Sequence, residues 1–266
     1  MTVGARIRVA AVSAAALVCV AGCADPLASP SAEPTASAGS PTSVGRDAVD
    51  PPGIGVLPSV PPSEGPVVDC RYLPGGPAAK PVTLPPTTGI PATGTVMVEV
   101  TTSAGPVGVV LDREKAPCTV NSFIALAGQG FFDDTPCRRS VTSGALRALQ
   151  CGDPSGTGTG GPGYRFATEY PETAYPPRDP GLGAQVRYPR GTVAMAHTAH
   201  PASNGSQFFL VYADSVLPPT YTVFGRMTED AVAVVEEAAA NGDDGLSSAG
   251  GVAPNIPVRI DTATVH

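Results

Sequence analysis

Tryptophan is absent from the 266 residues, and no aromatic residue of any kind precedes Tyr72. A packed core draws on bulky apolar side chains, so the stretch before Tyr72 lacks the material for a core of its own. Charge is scarce as well, at 15% Asp, Glu, Lys and Arg, with a formal net charge of −7. That balance gives no electrostatic reason to expect a nucleic-acid partner, which calls for a basic surface. The six cysteines show no paired C-x-x-C spacing and there are only three histidines; no metal site is expected, and no motif calls for a cofactor. The length leaves room for one sizeable domain with extras or for two small ones, and the composition favours the first.

The N-terminus reads as a targeting segment. Arg6 and Arg8 precede an uncharged apolar run from Val9 to Val20 that is too short to span a bilayer. The run leads into Val20-Ala21-Gly22-Cys23, which resembles the lipobox of bacterial lipoproteins. The resemblance implies removal of residues 1–22, lipidation of Cys23 and anchoring at the extracytoplasmic face of the cell membrane. Each buried acyl methylene adds about 0.8 kcal/mol, so two or more chains hold stably. The alternative is an ordinary secretory signal with an incidental cysteine. Cys19 leaves with the leader, and Cys70, Cys118, Cys137 and Cys151 remain beside Cys23. An even number in an exported chain suggests disulfides, with three connectivities open.

Residues 23–66 are rich in Pro, Ser, Ala, Gly and Thr. Such a segment cannot bury enough apolar surface to offset its ordering entropy, and it reads as a disordered linker reaching roughly 35–40 Å as a coil. A glycosylated stalk fits the same composition. Residues 67–93 are again Pro-rich but carry Cys70, Tyr72 and Leu84, and read either as an extended segment pinned to the domain or as more linker. The folded domain is placed at 94–266. Val96, Val98 and Val100 alternate with Met97, Glu99 and Thr101 as in a half-buried strand, and Val107 to Leu111 returns after a turn at Ser103-Ala104-Gly105. Pro117 opens a helix in which Val120, Phe123, Ile124 and Ala127 share a face. Further strands are expected around 193–196, 207–211, 222–225 and 258–264, with a second helix over 229–240 capped by Thr228. Many short strands with two helices predict a mainly β fold, a closed or nearly closed barrel with helices at its ends.

The sharpest feature is Asn204-Gly205-Ser206-Gln207-Phe208-Phe209. Asn-Gly signals a turn, and alternation in the strand after it puts Gln207 and Phe209 on one face and Phe208 and Leu210 on the other. An amide beside an aromatic ring suits a peptide group next to proline. The segment resembles the signature of cyclophilins. So do Ala194-Met195-Ala196, Thr222-Val223-Phe224-Gly225-Arg226, Gln150-Cys151-Gly152-Asp153 with the glycine-rich run behind it, and the helix from Pro117 to Ala127. The resemblance spans roughly Gly94 to His266. It implies a closed eight-stranded antiparallel barrel capped by two α-helices and a peptidyl-prolyl cis–trans isomerase without cofactor, acting as a monomer on proline-containing segments of exported proteins. Carried over residue by residue, it assigns catalysis to Arg139, Gln150 and Phe209. Substrate binding falls to Ala196, His197, Gln207, Leu217 and Tyr221, with Leu146 as a further apolar wall. Phe209 and Leu217 are expected to form the proline pocket.

Three departures from the family pattern bear on that reading. Arg138 stands where histidine is common, leaving two adjacent arginines of which alternation allows one to face the site; Arg139 is the expected one. The stretch Thr142 to Leu149 is longer than the usual hairpin, with Leu146 and Leu149 as the nearest apolar candidates. No Trp stands near Leu217, which argues for a shallow pocket, selective catalysis and weak cyclosporin binding. Cys137 and Cys151 flank the hairpin carrying Arg139 and Gln150, which suggests a cross-strand disulfide and leaves Cys70 for Cys118. Ser206 has no neighbouring base and is not expected to act as a nucleophile. The rival reading is a proline-peptide-binding module of the same fold with weak or no catalysis.

Overall fold

The computed structural model describes residues 53–198, 200, 202–245 and 252–266. The leader, Cys23 and the linker as far as residue 52 lie outside the described residues.

Valine-rich alternation forms the first hairpin. In β1 (Thr95–Thr102) and β2 (Gly105–Asp112) the chains pair antiparallel along their full length, with Val96, Val98, Val100, Val107, Val109 and Leu111 buried. After α1 (Pro117–Gly128) come β3 (Thr135–Cys137), β4 (Arg139–Val141), β5 (Ala148–Cys151), β6 (Thr192–Met195), β7 (Phe208–Val211), β8 (Val223–Met227), α2 (Glu229–Ala240) and β9 (Val258–Val265). They form one antiparallel sheet in the order β3-β9-β1-β2-β8-β6-β7-β5-β4. Its two edge strands are consecutive in the chain with only Arg138 between them, so the sheet curls until its edges adjoin. Counted as a single strand interrupted at Arg138, β3 and β4 complete the eight strands expected.

Inside the barrel the rings of Phe123, Phe132, Phe208 and Phe224 pack with centroids 4.8–5.8 Å apart. Each such side chain contributes about 1.5–3 kcal/mol by leaving water. Thr228 caps α2 by accepting from the Ala231 amide at 3.3 Å. At the start of α1 the N-cap is Ala116, which has no oxygen to offer. Glu169 takes over that role from fifty residues away: its carboxylate accepts from the Cys118 and Thr119 amides at 3.0 and 2.8 Å and from the Thr119 hydroxyl at 2.6 Å.

The chain before Gly94 does more than the sequence suggests. Cys70 is bonded to Cys118, and Cys70, Tyr72, Ile90 and Ala92 are buried, the first three within the barrel's own core cluster. Residues 55–60, inside the stretch read as linker, also contact the domain. Gly55–Val56 runs parallel to Val186–Arg187, and the Tyr170 hydroxyl donates to the Pro58 carbonyl at 2.7 Å. A few well-spaced apolar groups and backbone hydrogen bonds hold these segments against the barrel, where composition left attachment open for residues 67–93 and pointed to free linker for residues 55–60. Asn204 also differs from its reading as a turn residue. It is fully buried, exchanges backbone hydrogen bonds with Phe166, and its side-chain amide donates to the Ala167 carbonyl at 3.0 Å.

Candidate functional site

Strand register assembles the site. Arg139 stands opposite Gln150, Gln150 opposite Phe209, and Phe209 opposite Ala194. Directly paired residues share a face of a sheet, so these four form one row across β4, β5, β7 and β6. One position along, Ser140, Leu149, Leu210 and Val193 form the next row, turned into the core. Leu149 is thereby committed to the interior, and Leu146 is the leucine of the hairpin that reaches the outer face. There it packs with Ala196 and Tyr221 against buried Phe209, Ala148 and Val211.

A line of hydrogen bonds crosses the same face. Arg139 Nη1 donates to Gln150 Oε1 at 3.4 Å, Gln150 Nε2 to Gln207 Oε1 at 2.8 Å, and Gln207 Nε2 to the carbonyls of Gly158 and Gly160 at 3.1 and 3.0 Å. Each amide is oriented by its neighbour, so neither is free to flip. Burial holds the Arg139 guanidinium below its ordinary pKa; Tyr221 opposes that shift and Arg138 adds to it. The group remains a cation at any working pH, and its Nε is buried with no partner among the described residues. Arg138 turns elsewhere, its Nε donating to the Gly156 carbonyl at 3.2 Å. The Cys137–Cys151 disulfide ties β5, which carries Gln150, to the end of β3, two residues before Arg139.

The glycine run is shaped by Asp153, which is 2% exposed. Its carboxylate accepts from the amides of Ser155, Gly158 and Gly160 at 2.8, 2.6 and 3.2 Å. A Cβ on Gly160 would sit 2.0 Å from an Asp153 oxygen, and one on Gly152, whose φ is +91°, would sit 2.2 Å from the Ser206 carbonyl. Only glycine permits those approaches.

On the far side of Phe209 the Tyr221 ring stands edge-on at 6.1 Å, and His197 lies tilted against Tyr221 at 4.5 Å. Nδ1 of His197 donates to the Thr198 carbonyl, and Nε2 is buried with no partner among the described residues. The Ala196 amide donates to the Gln207 carbonyl at 2.9 Å. Leu217 does not join Phe209: it packs with Tyr170, Val186 and Tyr188 in a neighbouring cluster, and Tyr221 touches both groups. The missing bulk beside Leu217 is supplied by a tyrosine from the next turn. Ser206 is buried and donates to the Gly152 carbonyl at 2.6 Å. No cluster among the described residues fits a metal ion. A half-buried cation beside an apolar cluster, with oriented amides between them, can grip an imide without forming a covalent bond.

Asp153 and the carbonyls of Gly158 and Gly160 belong to this site, although the sequence marks them only as part of a motif. Gly75, Gly76 and Pro77, which border the groove beside Gln207, carry no local signal at all.

Residues 97–265 match the family described as cyclophilin type peptidyl-prolyl cis-trans isomerase/CLD. The chain is 52% identical over 196 residues to the probable peptidyl-prolyl cis-trans isomerase B of Mycobacterium leprae, covering 71% of this chain and 66% of that protein. It is 48% identical over 204 residues to its namesake in Mycobacterium tuberculosis, covering 76% and 66%. The matched part is thus just under two thirds of these relatives. Both matches take in more of the chain than residues 97–266 make up, so they reach into the segment before the barrel. A solved cyclophilin type peptidyl-prolyl cis-trans isomerase of Cryptosporidium parvum superposes with a TM-score of 0.50 at 26% identity, over 65% of this chain and 98% of that one. By its barrel and by these matches, the chain belongs to the cyclophilin-type peptidyl-prolyl cis–trans isomerase family.

Proposed function

We propose that this chain catalyses cis–trans isomerisation of X–Pro bonds in exported proteins. The observation that carries the reading is the shared row of Arg139, Gln150 and Phe209, which sets a cation beside an apolar cluster on one face of the sheet. The barrier is amide resonance, about 18–20 kcal/mol, because the C–N bond must lose its double-bond character. Twisting localises a lone pair on the prolyl nitrogen, and the Arg139 guanidinium is a donor for which that lone pair is an acceptor in the twisted state alone. Phe209, Leu146, Ala196 and Tyr221 hold the ring. Gln150 and Gln207, with His197 beside them, offer polar atoms to the peptide backbone. No cofactor enters this scheme.

Two disulfides support a compartment outside the reducing cytoplasm. Together with the lipobox-like motif at Cys23 they favour a site tethered to the outer face of the cell membrane, acting on emerging clients.

Arg139→Ala tests the chemistry. In the full chain it lowers kcat/KM on a proline peptide about 10- to 100-fold, the size of a charged hydrogen bond of about 1.5–3 kcal/mol, while thermal unfolding is unchanged. An NMR exchange or protease-coupled assay reads it. Equal rates for the wild type and a protein-free blank would remove the enzyme reading and leave a peptide-binding module.

A further inference from the structure

Beyond the proline hollow the site opens into a groove of about 380 Å³. One wall is made by a part of the chain that lies before the barrel altogether. Gln150, Gln207, Ala196 and His197 line the groove together with the glycine run and with Gly75, Gly76 and Pro77.

Those three residues belong to a strap held along its length. Cys70 is bonded to Cys118 on α1. The Tyr72 hydroxyl donates to the Cys118 carbonyl and accepts from Asn121, both at 2.8 Å, and its ring meets Tyr164 and Phe166 edge-on at 5.2 and 5.6 Å. Leu73–Pro74 pairs with Tyr164–Arg165. The Gly75 amide then donates to the Gly163 carbonyl at 2.9 Å and the Ala79 amide to the Gly161 carbonyl at 2.8 Å. The strap therefore clamps the same glycine run whose Gly158 and Gly160 carbonyls orient Gln207. It holds a wall in place and steadies an amide of the site together.

The groove also carries a charge. Arg165 is the one residue with a fixed charge among the described residues that line it. It donates to the Ala202 carbonyl at 3.2 Å and forms no ion pair among the described residues. A cation lining a groove without a carboxylate to answer it is a ready partner for an acidic group.

We infer that the strap makes the isomerase site a walled groove that takes the residues flanking the proline and favours an acidic side chain beside Arg165. The inference rests on the isomerase reading and names the peptide class that the site prefers. The strap acts by positioning: it touches the flanking residues and the glycine run, while the twisting bond lies at Arg139.

The test uses the full chain with blocked Ala-Pro dipeptide and with blocked heptapeptides centred on proline, carrying Glu or Lys at the flanking positions. The wild type prefers heptapeptide to dipeptide in kcat/KM, chiefly through KM. It also prefers the Glu peptide to the Lys peptide by about two- to five-fold, the effect of a part-exposed ion pair. A Cβ on Gly76 meets nothing within 4 Å, so Gly76→Phe fits the backbone while filling the groove, and the heptapeptide advantage falls toward one. Arg165→Gln removes the Glu-over-Lys preference. Gly183→Phe, at a glycine equally open but away from the groove, keeps both preferences. A heptapeptide advantage that survives Gly76→Phe, or equal rates on Glu and Lys peptides in the wild type, overturns the inference and leaves the isomerase standing. A wild type that accelerates none of the peptides overturns both.

Discussion

The barrel and the strap line one groove and are held in place by different means. The barrel closes on itself through nine hydrogen-bonded strands and a core of interlocked phenylalanines, so its residues are over-determined. The strap has two short strand pairings, one disulfide, one buried tyrosine and a few backbone bonds to glycines. Few contacts over a Pro-rich chain mean that each one matters, and that local opening there costs far less than global unfolding. Arg139, Gln150 and Phe209 sit on the barrel, where a row of paired strands fixes their distances.

The largest effect expected from that contrast belongs to the barrel. Phe208, 1% exposed and touching the rings of Phe123 and Phe132, loses about 3–5 kcal/mol of stability when cut to alanine. Urea denaturation measures it, and a loss below about 1 kcal/mol would mean that the inner face does not carry the fold. Next come the two disulfides. Cys70 and Cys118 are 48 residues apart and Cys137 and Cys151 are 14 apart. Loop-closure entropy makes Cys70→Ser with Cys118→Ser the costlier pair by about 1 kcal/mol, out of about 2–4 kcal/mol in all. Unfolding curves of the two double variants decide this; the reverse order would show that the strap is already ordered in the unfolded chain or loosely held in the folded one.

The smallest effect sits at the junction. Glu169 caps α1 next to Cys118, and burial raises its pKa against the lowering effect of its hydrogen bonds to Thr119 and Cys118. With the folded value above the unfolded one, the folded chain keeps a proton that the unfolded chain has released in the interval between them. Its contribution to stability is therefore full below the ordinary carboxylate pKa and is lost as pH rises through the folded value. The stability of wild type minus that of Glu169→Gln should shrink from pH 4 toward pH 7. A difference that grows instead would show that the helix amides outweigh desolvation.

Much of the barrel was legible because its signals are local. Val96, Val98 and Val100 alternate over a single strand, Pro117 and Thr228 mark helix starts within one turn, and Gln207 and Phe209 differ in facing from Phe208 by parity alone. Leu149 and Leu217 were less so. Both lie in the right stretch of chain, but which face a leucine takes after a long hairpin or loop is set by the register across strands. The exchange of Leu217 for Tyr221 beside Phe209 is the result. Asn204 misled for a related reason, since a turn dipeptide carries no mark of the Phe166 backbone that buries it.

What the sequence determined by itself was the barrel class, its two helices and which residues of a strand share a face, because period-two alternation and capping act over a few residues. Tertiary structure decided what is packed beside those faces. The clamp of Asp153 on the glycine run, the cap lent by Glu169 and the strap at Gly75 to Pro77 are contacts between segments far apart in the chain. No local pattern encodes such contacts, because their energy comes from closing a loop onto a surface that exists only after the barrel has formed.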